Sequence, residues 1–295
     1  MSGEMVNNMR SEREMYDLIL GFARADERVR GVILNGSRAN PNAPRDKYQD
    51  YDIVYVVRDF NSFLDDQSFL DIFGERLIMQ MPETMRDPDG SGHFNWLMLF
   101  TDGNRLDLTI IPIEKPELIS GDSQSVLLLD KDGFLPEFPP ASDRDYLIKP
   151  PSELFYSSCC NNFWWCLQNV AKGIARDELP YAMEMYNEIV RSDLKDMINW
   201  YIGVKNDFKV SAGKLGKYYK RLLPAEIYQK YMSTYSDASY DRFWKAVSAA
   251  CGLFGELARE VGLSLGYIYN GQDETNMLAY LKWVMEDWKN AAVKL

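Results

Sequence analysis

Apolar spacing changes character several times along the first half of the chain, and each change marks an element. Residues 12–24 place Met15, Ile19, Leu20 and Phe22 at helical spacing behind Ser11, a side chain suited to capping the first turn. Short apolar runs at 32–35 and 53–57 read as strands. The segment between them, 38–49, holds two prolines, two asparagines and several charges, which predicts an exposed loop. Phe63, Leu64, Phe69, Leu70 and Phe73 predict a helix over 60–73, and 77–80 a third strand. Residues 85–93, with Pro88 and two glycines, read as a loop. The runs 96–101 and 105–111 flank Asp102-Gly103-Asn104, a strong hairpin signal. The expected result is an α+β unit, a mixed sheet with helices against it.

The pattern turns wholly helical after a proline-bracketed stretch at 134–151. Ser152 can cap a long helix through 176 that carries Phe163, Trp164, Trp165 and Leu167. Further helices are predicted after Pro180 to about 201, then over 214–222, 225–231, 243–261 and 275–289. The domain boundary is expected near residue 148: residues 1–148 form one domain, with 1–8 a possible unstructured extension, and 149–295 a helical domain that binds substrate. The aromatic run at 163–165 is most simply core or domain-interface packing, with ligand stacking as the alternative.

Composition narrows this picture. A chain of 295 residues with 46% apolar and 13% aromatic content can fill two proper cores. No apolar run approaches the roughly 20 residues needed to span a bilayer, and the first ten residues lack an apolar signal core. A cytoplasmic protein without membrane contact is therefore expected. Four cysteines show no zinc spacing, and His93 is the only histidine, so a multi-histidine metal site is excluded. The net charge of −11, from 33 basic and 44 acidic residues, speaks against nucleic acid and suits a small cationic substrate, or simply solubility, the commoner reason for an acidic chain. The oligomeric state is not legible.

Candidate chemistry gathers between residues 32 and 57. Asp50 and Asp52 stand two apart at a strand start, so both side chains project from one face. Paired carboxylates repel, and a divalent cation is the usual compensation; a polar strand end with solvated acids is the plainer alternative. Further on, Arg105, Asp107 and Thr109 alternate with Leu106, Leu108 and Ile110. If the strands are neighbours, Asp107 joins Asp50 and Asp52, and three acids suit one or two Mg2+ ions. Otherwise Asp107 makes a weak surface pair with Arg105. Gly36-Ser37 closes the first apolar run, where glycine lets backbone approach a phosphate, and Arg38 can pair with a phosphate or a loop acid.

A strand ending in Gly-Ser, then Asp-x-Asp, then a third Asp on a later strand resembles the polymerase-β-type nucleotidyltransferase superfamily. Asn35-Gly36-Ser37-Arg38, Gln49-Asp50-Tyr51-Asp52, the run Asp102 to Thr109, Leu127 to Asp132, Phe163-Trp164-Trp165, Val170 to Gly173 and Gly213-Lys214 are similar to the aminoglycoside 6-adenylyltransferases, which modify streptomycin. The similarity runs from Met9 nearly to the C-terminus. It implies a two-domain enzyme that moves AMP from Mg-ATP to an aminoglycoside hydroxyl and releases pyrophosphate. Asp50, Asp52 and Asp107 would hold the metal, and Gly36 and Ser37 would contact the triphosphate. The helical domain would supply a general base, Glu184 with Glu188 behind it, although both also read as solvated helix acids. Asp193 and Asp196 could join these acids in binding guanidinium groups. Lys214 would steady the leaving pyrophosphate, unless it belongs to a basic helix face with Lys217, Lys220 and Arg221. The alternatives are the same transfer to another acceptor (another aminocyclitol, a lincosamide or a protein hydroxyl) and a non-catalytic nucleotide-binding protein.

Overall fold

The computed structural model describes residues 9–88, 90–119 and 121–292. The expected extension at 1–8 lies outside the described residues. The chain divides into two compact units, Met1–Asp145 and Tyr146–Leu295.

The first unit opens with α1, Glu12–Ala25. Ser11 and Glu14 form a reciprocal capping box there, and Met15, Ile19 and Ala23 are buried. β1 (Val29–Asn35) runs into α2, only four residues long (Gly36–Ala39), and β2 covers Tyr51–Val57. The helix expected over 60–73 is broken. α3 ends at Asp65, Asp66 turns extended, and its carboxylate accepts from the Ser68 N–H at 2.9 Å to start a separate 3-10 turn, Ser68–Phe73. β3 (Arg76–Gln80), β4 (Phe94–Phe100) and β5 (Arg105–Pro112) follow, the last two joined by the expected hairpin. β6, Ser125–Asp130, is an addition to the expected set. Its run Val126–Leu129 shows no alternation because both faces are half-covered.

The sheet order is β3-β4-β5-β2-β1-β6. β2 and β5 pair in parallel, and the other neighbours pair antiparallel. One face packs Ile53, Tyr55, Leu106 and Leu108 against α1 and the 3-10 turn that follows α3. The other face is split. Ile33, Val54, Val56 and Ile111 lie under Ile113, Leu118 and Phe138, while the end carrying Asp52 and Asp107 stays polar.

The second unit is helical, as expected, around its own core. α4 spans Glu153–Ala175, and Ser152 caps it. The helix expected from 180 to 201 consists of α5 (Leu179–Glu184), a π-turn at Met185–Val190 and α6 (Arg191–Lys205). The helix expected at 214–222 is mostly absent. Positive φ at Gly213, Leu215 and Gly216 leaves a single 3-10 turn before the four-residue α7, Tyr219–Leu222. α8 (Ala225–Met232), α9 (Tyr240–Leu265) and α10 (Gly271–Ala292) complete the unit. Phe163 and Trp164 are core residues, but Trp165 is 63% exposed and borders a cavity of about 660 Å³ between α4 and α10. Among the described residues, no helix is long and apolar enough to cross a membrane.

Candidate active site

Parallel pairing of β2 and β5 sets Asp52 directly beside Asp107, and Asp50 precedes β2 by one residue on the same face. Asn35 of β1 flanks Asp52 on its other side and accepts a hydrogen bond from Ser125 Oγ at 2.8 Å. Three carboxylates thus share one end of one sheet face.

Their charges interact strongly. Burial, joined by the neighbouring Asp107 and Asp50 charges, pushes the Asp52 carboxyl up to about 6. Burial also raises Asp50, against the opposing pull of Arg105. Arg105 is the local counter-charge. Its Nε and Nη2 donate to the two oxygens of Asp107 at 2.7 and 2.6 Å, and its Nη1 lies 3.5 Å from Asp50 Oδ2. The sequence offered this pair as a surface alternative to the acid cluster, yet both arrangements coexist. With Asp107 engaged by Arg105, no three Asp, Glu, His or Cys side chains form a ready metal cluster among the described residues. The donor set nevertheless fits a divalent cation. It consists of oxygen ligands on one face, in register, with a like-charge repulsion that a cation would relieve.

Gly36 is held at φ +71°, and a Cβ there would lie 2.3 Å from Asp52 Oδ2. Glycine is favoured because its φ is left-handed and a Cβ would meet the Asp52 carboxylate. Its N–H is not free for a ligand, since it donates to the Gln124 carbonyl at 2.9 Å. Ser37 is half-buried, with its carbonyl and hydroxyl 3.3 and 3.4 Å from Gln49 Nε2.

Arg38 is buried rather than poised on the surface. Its guanidinium stacks 3.8 Å from the Tyr51 ring centroid and donates to the Asp50 and Gln49 carbonyls at 3.1 and 2.9 Å. It ties the end of the 38–49 loop to the helix turn after β1. That arrangement fixes the backbone that presents Asp50.

In the helical unit, Glu184 and Glu188 are both exposed, one at the end of α5 and the other in the π-turn. Such turns recur at functional sites. Lys214 borders a cavity of about 470 Å³ that it shares with Lys149, Lys195, Asp196 and Gly213. Burial raises the Asp196 carboxyl, and Lys195 partly offsets the shift. Burial pushes Asp193 up to about 6 as well, but it faces α4, where Asn162 donates to it at 2.8 Å.

Sequence reasoning passed over two polar side chains linked to Thr109, the next residue beyond Asp107 on its face: Asn95 on β4 and Glu83 on the turn before it. Asn95 breaks the apolar run of β4 and pairs with Thr109 across the hairpin, which is the one signal that could have found it.

A mixed sheet that carries Asp52 and Asp107 in register, with Asp50 on the same face beside a glycine turn, and a separate helical unit make up a nucleotidyltransferase-like fold. The profile of the streptomycin adenylyltransferase family matches residues 9–284. An aminoglycoside 6-adenylyltransferase of Campylobacter jejuni is 44% identical over 268 residues, which cover 90% of this chain and 93% of that protein. The enzyme of the same name from Bacillus subtilis (strain 168) is 43% identical, with coverage of 90% and 95%. The one from Staphylococcus aureus is 34% identical, with coverage of 88% and 94%. The chain belongs to the streptomycin adenylyltransferase family, whose chemistry is adenylyl transfer.

Proposed function

We propose that the protein transfers AMP from Mg-ATP to a hydroxyl of a cationic aminoglycoside, the 6-hydroxyl of streptomycin, and so confers resistance to it. The observation that carries this reading is the side-by-side register of Asp52 and Asp107 with Asp50 on the same face. The acceptor oxygen bonds to the α-phosphorus, and the bond from that phosphorus to the β-bridging oxygen breaks. Its electron pair departs with pyrophosphate.

Asp50, Asp52 and Asp107 are the groups that would hold the metal. A divalent ion bound there would offset the phosphate charge and ready the attacking oxygen. Gly36 lets the Asp52 carboxylate lie close to the chain, and Ser37 offers a hydroxyl toward the triphosphate. Arg38 acts through the backbone of Asp50 instead of on a phosphate. Glu184 takes the proton of the acceptor hydroxyl, and Lys214 steadies the pyrophosphate. Positioning and fixed charge carry most of the rate. The compartment we propose is the cytoplasm, which supplies ATP and keeps thiols reduced, in keeping with four unpaired cysteines.

The test is pyrophosphate release with Mg-ATP across a panel of aminoglycosides, for the wild type and for Asp50→Asn and Asp107→Asn. Streptomycin should be turned over and kanamycin should not. Either substitution should lower the rate by at least about a thousandfold with the circular dichroism spectrum unchanged. Full activity in either variant would sink the three-acid site.

A further inference from the structure

The polar face of the sheet does not stop at Asp107. Thr109 is the next residue on that face, roughly 7 Å along the strand. Its cross-strand partner is Asn95, while Leu97 lies opposite Asp107. Thr109 Oγ1 donates to Asn95 Oδ1 at 2.5 Å. The Asn95 N–H donates to Glu83 Oε2 at 2.9 Å, and its side-chain amide donates to the other Glu83 oxygen. Glu83 sits on a 3-10 turn, Pro82–Thr84, with its side chain only 13% exposed, and His93 Nε2 lies 3.4 Å from its Oε1.

A mostly buried carboxylate normally meets a lysine or arginine, and here its recorded partners are an amide, a backbone N–H and an imidazole. Farther along β2 and β5 the same face is closed by apolar cover over Val54, Val56 and Ile111. At Glu83 the hydrogen-bonded chain fixes the carboxylate from the sheet side. The remaining lone pairs on Glu83 and Thr109, beside an Asp107 that Arg105 already engages, suit a ligand group rich in donors and positive charge.

We propose that Glu83, braced by Asn95 and Thr109, is the anion that receives an amino or guanidino group of the acceptor. It thereby turns the neighbouring hydroxyl toward Asp107. The inference rests on the adenylyl-transfer reading above and adds to it a specificity-determining residue in the sheet unit. Glu83 is not in reach of the reacting phosphorus by this assignment, so its loss falls on acceptor binding and not on nucleotide binding.

The test compares full-length wild type with Glu83→Gln, which keeps the shape and still accepts from the Asn95 N–H. Streptomycin binding without nucleotide is measured by titration calorimetry, and KM for each substrate by pyrophosphate release. Streptomycin affinity should fall ten- to a hundredfold and its KM rise to match, as expected for the loss of a charge-assisted pair. KM for ATP and the melting temperature should hold, and Glu83→Asp should recover part of the loss. Unchanged streptomycin binding in Glu83→Gln would overturn the assignment. So would an equal rise in both KM values with a lowered melting temperature, which marks a purely structural brace. A wild type that turns over no aminoglycoside would instead overturn the reading beneath it.

Discussion

Gly36 shows how a single missing atom sets the site. At φ +71°, with Asp52 Oδ2 2.3 Å from where a Cβ would stand, Gly36→Ala meets backbone strain and a carboxylate together. The left-handed conformation alone costs roughly 1–2 kcal/mol. Urea denaturation should show a loss of at least that size, and turnover should fall further because Asp52 must move. Asp193 offers a pH-dependent counterpart away from the metal acids. Its folded value of about 6 lies above the ordinary value of 3.8. The folded state therefore binds its proton more tightly, and the stability this contributes is full below about pH 4. It is lost as pH rises through 6. Asp193→Asn should flatten that part of the stability curve. After screening at a half-buried group, the gain at pH 7.5 should be on the order of 1 kcal/mol. Thermal melts from pH 4 to 7.5 would test this, and identical slopes would contradict it. At this scale the sequence was informative where spacing alone decides. Asp50, Asp52 and Asp107 were selected by two-residue periodicity, and β2–β5 pairing brings them together. A second reason for Gly36 was not legible. The close approach is made by the chain's own carboxylate, and no local pattern carries that information. Glu83 was missed for a similar reason, since its meaning comes from Asn95, twelve residues on, and from Thr109 across a hairpin.

Elements were legible where hydrophobic periodicity was long and uninterrupted, as in α1, α4 and α9. Short pieces governed by side-chain hydrogen bonds or unusual backbone were not. Asp66 stops α3, and positive φ at Leu215 prevents a helix that composition would allow. The loop after β1 follows the same logic through Arg38. Its guanidinium joins α2 to Gln49 and Asp50 while stacked on Tyr51. Arg38→Ala would strip charge-assisted bonds from two carbonyls and remove a cation–π contact, for an expected loss of about 2–4 kcal/mol. Arg38→Lys should recover little, because one ammonium cannot reproduce the planar fork. Denaturant midpoints of the two variants would check this. Activity should fall in both as Asp50 loosens.

At the scale of the whole molecule, the sequence pattern changes near residue 148, and the chain divides between Asp145 and Tyr146 into units that each bury their own core. The order of strands could not be read, because pairing partners far apart in sequence leave no periodic trace. That order has a consequence for how the molecule assembles. β4 and β5 are joined by a tight turn and can zip together early, whereas β2 meets β5 only after some fifty intervening residues are folded between them. The seam that forces Asp52 against Asp107 is therefore a late one, followed only by the still more distant pairing of β1 with β6. The repulsion useful for gripping a cation acts during refolding as a brake on this late docking of the two halves of the sheet. Asp52→Asn should release that brake and quicken the refolding limb of a chevron plot in metal-free buffer. Magnesium added to the wild type should shorten the same phase. The acid cluster then selects not only what the protein binds but also the ionic conditions under which it completes its fold.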